Sequence, residues 1–157
     1  MRGRITARRR AGADTAKAGA ARYRLEAQIG FRLRKAHQRA SEIFHQVMCP
    51  FDVTPMQFAV LVKLDELGAV SQNQLGRHVA MDPATTYGVV GRLIRRQLVE
   101  QHASPADARL SMIGLTDAGR AMVASMKQKG PEVSACTLSP LDDHEQRLLL
   151  DLLTRIG

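Results

Sequence analysis

Cysteine is scarce in this 157-residue chain: Cys49 and Cys136 are its only two. That excludes a disulfide-stapled scaffold and any four-cysteine zinc site. Long apolar runs are missing as well. The longest, Phe58–Val62, falls far short of a bilayer span or a signal-peptide core. The sequence therefore reads as cytoplasmic, with no membrane partner. It also lacks a Gly-rich phosphate loop, a nucleophile elbow and a His/Glu metal pair at helical spacing. Asp142-Asp143-His144-Glu145 has the residue types of a metal cluster, but acids in the first turn of a helix account for it. Neither an enzyme nor a cofactor is expected. What is present, 45% apolar and 24% charged residues, is enough for one folded domain with its own core.

The net charge of +8 is unevenly spread. Residues 1–24 hold eight basic residues against Asp14 alone, a net of +7, whereas the remaining 15 basic and 14 acidic residues net +1. Residues 1–20 contain one large apolar side chain after Met1, Ile5. Such a segment buries too little to offset its ordering entropy and is expected to be a disordered basic arm. Three readings of it stay open: a solvated tail, an arm on DNA phosphates, and an organellar transit peptide.

Helix starts are well marked from residue 21 onward. Thr54-Pro55-Met56-Gln57 and Ser71-Gln72-Asn73-Gln74 are capping boxes. Asp82-Pro83, Thr116-Asp117 and Ser139-Pro140 read as three further starts. Leu25, Ile29, Leu33, Ala36, Ala40, Ile43 and Val47 recur at helical steps and predict one long amphipathic helix over 21–48. Between residues 98 and 115 the periodicity changes. Leu98–Ala103 and Leu110–Leu115 flank Ser104-Pro105-Ala106-Asp107-Ala108-Arg109, which predicts a β-hairpin with a mobile tip.

A short capped helix over 71–79, a tight break at Ala80-Met81-Asp82, a second helix over 83–97 and a hairpin make a winged helix-turn-helix pattern. At 100° per residue, Thr86, Val89, Val90, Leu93, Ile94 and Gln97 share an inward face of the second helix. Ala84, Gly88, Gly91 and Arg95 lie opposite, flanked by Thr85, Tyr87 and Arg92. Two glycines on an outer helical face cost about 1 kcal/mol each relative to alanine, which suits close approach to another backbone. Arg92, Arg95 and Arg96 are candidates for phosphates or guanine edges, and Thr85, Thr86 and Tyr87 for phosphates or bases. Arg109 at the hairpin tip is suited to a narrow minor groove, with Asp107 holding its rotamer. The bland alternatives are a solvated helix face and an exposed ion pair.

The stretch from Thr54 to Gly119 resembles the MarR family of bacterial transcriptional regulators. The likeness is carried by Asp107-x-Arg109 followed by Leu115-Thr116-x-x-Gly119, together with Thr54-x-x-Gln57, Leu61-x-x-Leu64, Leu75 and Thr85. With the flanking helices it covers roughly residues 25–157. The resemblance implies a mainly α fold with a small β-hairpin wing, in which a winged helix-turn-helix domain (51–116) stands between a dimerisation helix (21–50) and C-terminal dimerisation helices (117–157). It implies a homodimer on a palindromic operator in double-stranded DNA. Arg109 would be the minor-groove residue, Asp107 its partner, and Thr85, Thr86, Tyr87 and Arg92 would lie on the recognition helix. Leu141, Leu148, Leu149, Leu152, Leu153 and Ile156 form a stripe suited to the dimer interface or to an intrachain core. The sequence departs from the family pattern at Gly88, Gln101 and Ala108, where arginine or another basic residue is common, and at Gln97, where a turn glycine is usual.

Family members are commonly released from DNA by small aromatic acids or by thiol oxidation. Arg34 and His37 share a side of the first helix, and Phe58 lies on the next. In this family the ligand cavity sits between those helices, so the three residues could hold an aromatic carboxylate effector. Ile29–His37 is also similar to members that control breakdown of aromatic or N-heteroaromatic acids. Cys49 and Cys136 are read as structural, which leaves a thiol-redox regulator as an alternative. A nonspecific nucleic-acid-binding or architectural protein driven by the arm is another.

Overall fold

The computed structural model describes residues 23–103 and 110–157. The basic arm, Asp107 and Arg109 lie outside them. Among the described residues six α-helices and three strands follow in order: α1 (Ile29–Met48), α2 (Pro55–Leu67), β1 (Val70–Ser71), α3 (Gln72–His78), α4 (Pro83–Arg95), β2 (Val99–Ala103), β3 (Ser111–Leu115), α5 (Asp117–Leu138) and α6 (Asp143–Ile156). This is the mainly α, winged architecture expected from the sequence.

Four of the five helix starts stand where local capping chemistry puts them. Thr54 and Ser71 each close a full capping box, with Gln57 and Gln74 reaching back. Asp82 accepts the Thr85 N–H, and Thr116 accepts the Gly119 N–H. The fifth start is different. Ser139 is still helical in backbone, and its hydroxyl donates to the Cys136 carbonyl, so it satisfies the end of α5. Asp142 opens α6 instead, in a capping box with Glu145. The same box accounts for the acidic cluster at 142–145.

The long first helix begins later than the periodicity predicts. Leu25–Ala27 is a separate 3-10 turn, and extended Gln28 divides it from α1. The wing also has a third strand that the hairpin reading lacks. β3 lies between β1 and β2, antiparallel to both, with Val70 opposite Ile113 and Gln101 opposite Ile113 on the other side.

The core belongs to the winged unit. Val60, Leu61, Leu64, Leu75, Val89, Leu93, Ile113, Val123 and Met126 are buried, joining α2, α3, α4, the sheet and the start of α5. From α1, Phe44 and Met48 reach it. α6 buries none of its residues. Leu148, Leu152, Leu153 and Ile156 stand 38–68% exposed. Among the described residues the leucine stripe is therefore not a buried intrachain core; Leu141 and Leu149 are half-buried. No single described helix is long and apolar enough to cross a membrane.

Candidate nucleic-acid interface

The position of α4 is set by three close approaches. At the turn, Ala80 adopts φ +52° and Met81 donates its N–H to the Gly76 carbonyl at 2.9 Å. A Cβ on Gly76 would come within 2.9 Å of Thr86 Oγ1 and 3.2 Å of the Met81 carbonyl oxygen. Glycine there lets α3 cross tightly over α4. Past its C-terminus, Gln97 sits at φ +57°, the left-handed conformation that favours glycine, which is why the family pattern has glycine at this place.

The inward and outward faces of α4 divide as the helical phase predicts, except that Gln97, expected inward, lies past the end of the helix and is exposed. Val89, Val90 and Leu93 are buried. So is Thr86, 1% exposed, with its hydroxyl donating to the Asp82 carbonyl at 2.9 Å. This corrects the assignment of Thr86 as a DNA contact: its one proton and its position serve the core. Tyr87 is 72% exposed, and Arg92 and Arg95 are exposed. A Cβ on Gly88 would meet only the Arg92 guanidinium, at 3.6 Å, and one on Gly91 only that of Arg95, at 3.9 Å. Among the described residues nothing in the packing requires either glycine. Each instead leaves its face low where an arginine four residues on folds back over it.

Arg96 is not a free cation for phosphates. Its guanidinium donates to the Asp52 carbonyl at 2.5 Å and the Phe51 carbonyl at 3.1 Å. It ties the end of α4 to the turn between α1 and α2, where Asp52 holds φ +50°. Around this tie lies an open cleft of about 600 Å³, lined by His45, Cys49, Thr54, Arg92, Arg95 and Arg96 among others. These arginines share the cleft with Cys49 although they are more than forty residues away along the chain. Both cysteines are exposed, so neither has the buried packing role expected of a structural thiol.

At the N-terminus of α4, Asp82 Oδ1 accepts the Thr85 N–H at 2.9 Å and Oδ2 accepts the Thr85 hydroxyl at 2.5 Å. The Thr85 hydroxyl, followed by its backbone N–H, holds the Asp82 carboxyl below the ordinary aspartate value of 3.8. At the base of the wing, Leu115 is buried, the Thr116 hydroxyl donates to the Gln97 carbonyl at 2.7 Å, and its oxygen accepts the Gly119 N–H at 3.0 Å. Leu115-Thr116-x-x-Gly119 is thus a joint between wing, α4 and α5. Gln101, where the family often has arginine, donates to Ser111 Oγ across the hairpin at 2.6 Å.

Of the three residues expected to hold an effector, Arg34 and His37 are exposed on α1. Phe58 is half-buried and packs edge-on against Phe44, with ring centroids 5.5 Å apart.

A family model described as the MarR family matches residues 53–111. The HTH-type transcriptional repressor NicR of Pseudomonas putida is 35% identical over 134 residues, 85% of each chain. A crystal structure of a probable transcriptional regulator from Pseudomonas aeruginosa is 43% identical, with a TM-score of 0.81, over 85% of this chain and 100% of that one. BpsR of Bordetella bronchiseptica, whose DNA binding is regulated by 6-hydroxynicotinic acid, is 34% identical with a TM-score of 0.82, over 87% of this chain and 97% of its own.

Proposed function

The chain belongs to the MarR family of transcriptional regulators, and from that premise we propose how its residues divide the work: a cytoplasmic dimeric repressor that leaves a palindromic operator when a small aromatic acid binds. The observation that carries the reading is the outer face of α4. Tyr87, Arg92 and Arg95 stand on it beside two glycines that the fold does not need. A low face flanked by guanidinium groups suits a helix seated deep in a major groove. Thr85 joins them at the helix start. Arg109, oriented by Asp107, reaches the minor groove from the wing tip, and the arm at 1–20 adds phosphate contacts.

Residues 51–116 read DNA, and 21–50 with 117–157 build the dimer. The support for the dimer is the uncovered apolar face of α6, together with Leu25, Ile29 and Leu33, 41–68% exposed, near the start of α1. A second copy seated there also covers Arg34 and His37. With Phe58 they then line the effector site, where a guanidinium pairs with the carboxylate and rings stack on the aromatic body. The regulation of BpsR by 6-hydroxynicotinic acid points to the aromatic or N-heteroaromatic acid class. A thiol-responsive switch is the second reading, favoured by Cys49 standing exposed in the cationic cleft.

The test is binding of the purified protein to DNA upstream of its own gene, with excess nonspecific competitor at near-physiological salt. Saturable binding that is lost in Arg109→Ala and released by an aromatic acid supports the reading. Binding that Arg109→Ala leaves intact and deletion of 1–20 abolishes would replace it with nonspecific, arm-driven contact. Release by peroxide, absent in Cys49→Ser, would favour the thiol switch.

A further inference from the structure

The first turn of α4 fixes the polarity of one hydroxyl. Asp82 accepts twice from Thr85, through Oδ1 from the backbone and through Oδ2 from the side chain. An ionised carboxylate only accepts, so the proton in the 2.5 Å contact belongs to Thr85. That proton points back to Asp82. Thr85 Oγ1 therefore offers its surroundings lone pairs and nothing else. Thr86, next along, is buried and spends its proton on the Asp82 carbonyl.

A phosphate oxygen can only accept, so it has no bond to make with Thr85 in this state, and the Asp82 carboxylate beside it repels a phosphate. The major groove offers donors of one kind: the N6 amino group of adenine and the N4 amino group of cytosine. We propose that Thr85 is a base-reading residue selecting an amino-bearing base, adenine or cytosine, and that Asp82 is the positioning residue that imposes this choice. The inference rests on the reading that α4 enters the major groove.

Selection from a randomised duplex pool, with wild type, Asp82→Asn and Thr85→Val, tests it. Asparagine caps a helix as well as aspartate. Its amide oxygen can keep the Thr85 N–H while its NH2 donates to Oγ1 and turns the hydroxyl proton outward. Wild type should enrich adenine or cytosine at one position of each half-site. Asp82→Asn should relax that position so that the acceptor edges of guanine or thymine are admitted, changing the preference about tenfold, with the other positions unchanged. Thr85→Val should flatten that position alone. An unchanged preference in Asp82→Asn overturns the proposal. So does a loss in Thr85→Val that is uniform across sequences, the mark of a phosphate contact. If wild type enriches no sequence, the operator reading itself fails and takes this inference with it. Should Asp82→Asn lose helical signal in circular dichroism, the DNA can be altered instead. Purine for adenine, or 2-pyrimidinone for cytosine, removes the amino group. Wild-type affinity should then fall about tenfold, and an unchanged affinity overturns the proposal.

Discussion

The backbone of Gly119, at the start of α5, runs against Leu98 at the entrance to the wing. A Cβ on Gly119 would overlap the Leu98 carbonyl oxygen and lie 3.0 Å from the carbonyl carbon. That oxygen also accepts the Thr116 N–H at 3.2 Å. The obstacle is backbone held on both sides, so it has no flexible end to swing away. Gly119→Ala should cost about 3 kcal/mol or more in chemical denaturation. A loss under about 1 kcal/mol would mean that the joint between wing and α5 is looser than this.

Gly88 and Gly91 predict the opposite sign. Alanine fits at either place, since its Cβ would meet only a flexible guanidinium at ordinary contact distance. Gly88→Ala and Gly91→Ala should each stabilise the fold by up to about 1 kcal/mol and weaken operator binding. Thermal melts and binding titrations of the same variants separate the two effects. Variants that bind DNA as well as wild type would show that the glycines have no role at the groove.

Arg95 and Arg96 are adjacent and should behave differently. Arg96→Ala removes two charge-assisted donors from the Phe51 and Asp52 carbonyls and should destabilise by about 2 kcal/mol. Its 4.0 Å approach to the exposed Asp52 carboxylate adds little. Arg95→Ala should leave stability within about 0.5 kcal/mol while lowering DNA affinity and the salt slope. Equal stability loss in the two variants would contradict the division between clamp and contact.

Asp82 sets a pH dependence. Its carboxyl is held low in the folded chain, first by the Thr85 hydroxyl and then by the Thr85 N–H. A depressed folded value means that the carboxylate's contribution is fully present above the unfolded value near 3.8 and is lost as pH falls through the folded one. The amino-base preference should therefore be constant from about pH 5.5 to 8, a window well above the ordinary aspartate range. A preference that drifts across that window, in selections run at both ends, would point to a different titrating group.

The parts of this fold that local chemistry dictates are legible in the sequence. Thr54, Ser71, Asp82 and Thr116 announce helices because an N-cap satisfies donors within three residues of itself. Ser139-Pro140 misleads because a serine can equally well satisfy the end of the preceding helix. β1 is invisible: two residues carry no alternation, and Val70 finds Ile113 across 43 positions. The same distance problem hides Arg96, whose partners lie 44 and 45 residues away. Thr86 shows that phase outranks residue type. A threonine beside Thr85 looks like a polar contact, but its place on the Val89–Leu93 face puts it in the core.

The uncovered face of α6 bears on how the molecule persists. Fourteen residues make a helix that is marginal in water by itself. Among the described residues none of its side chains is fully buried, and a frayed helix is where proteases begin. Whatever covers Leu148, Leu152 and Ile156 protects that segment more as its own concentration rises. Dilution should therefore lower the melting temperature and shorten the lifetime against a protease, so that the supply of chains sets how long each one survives.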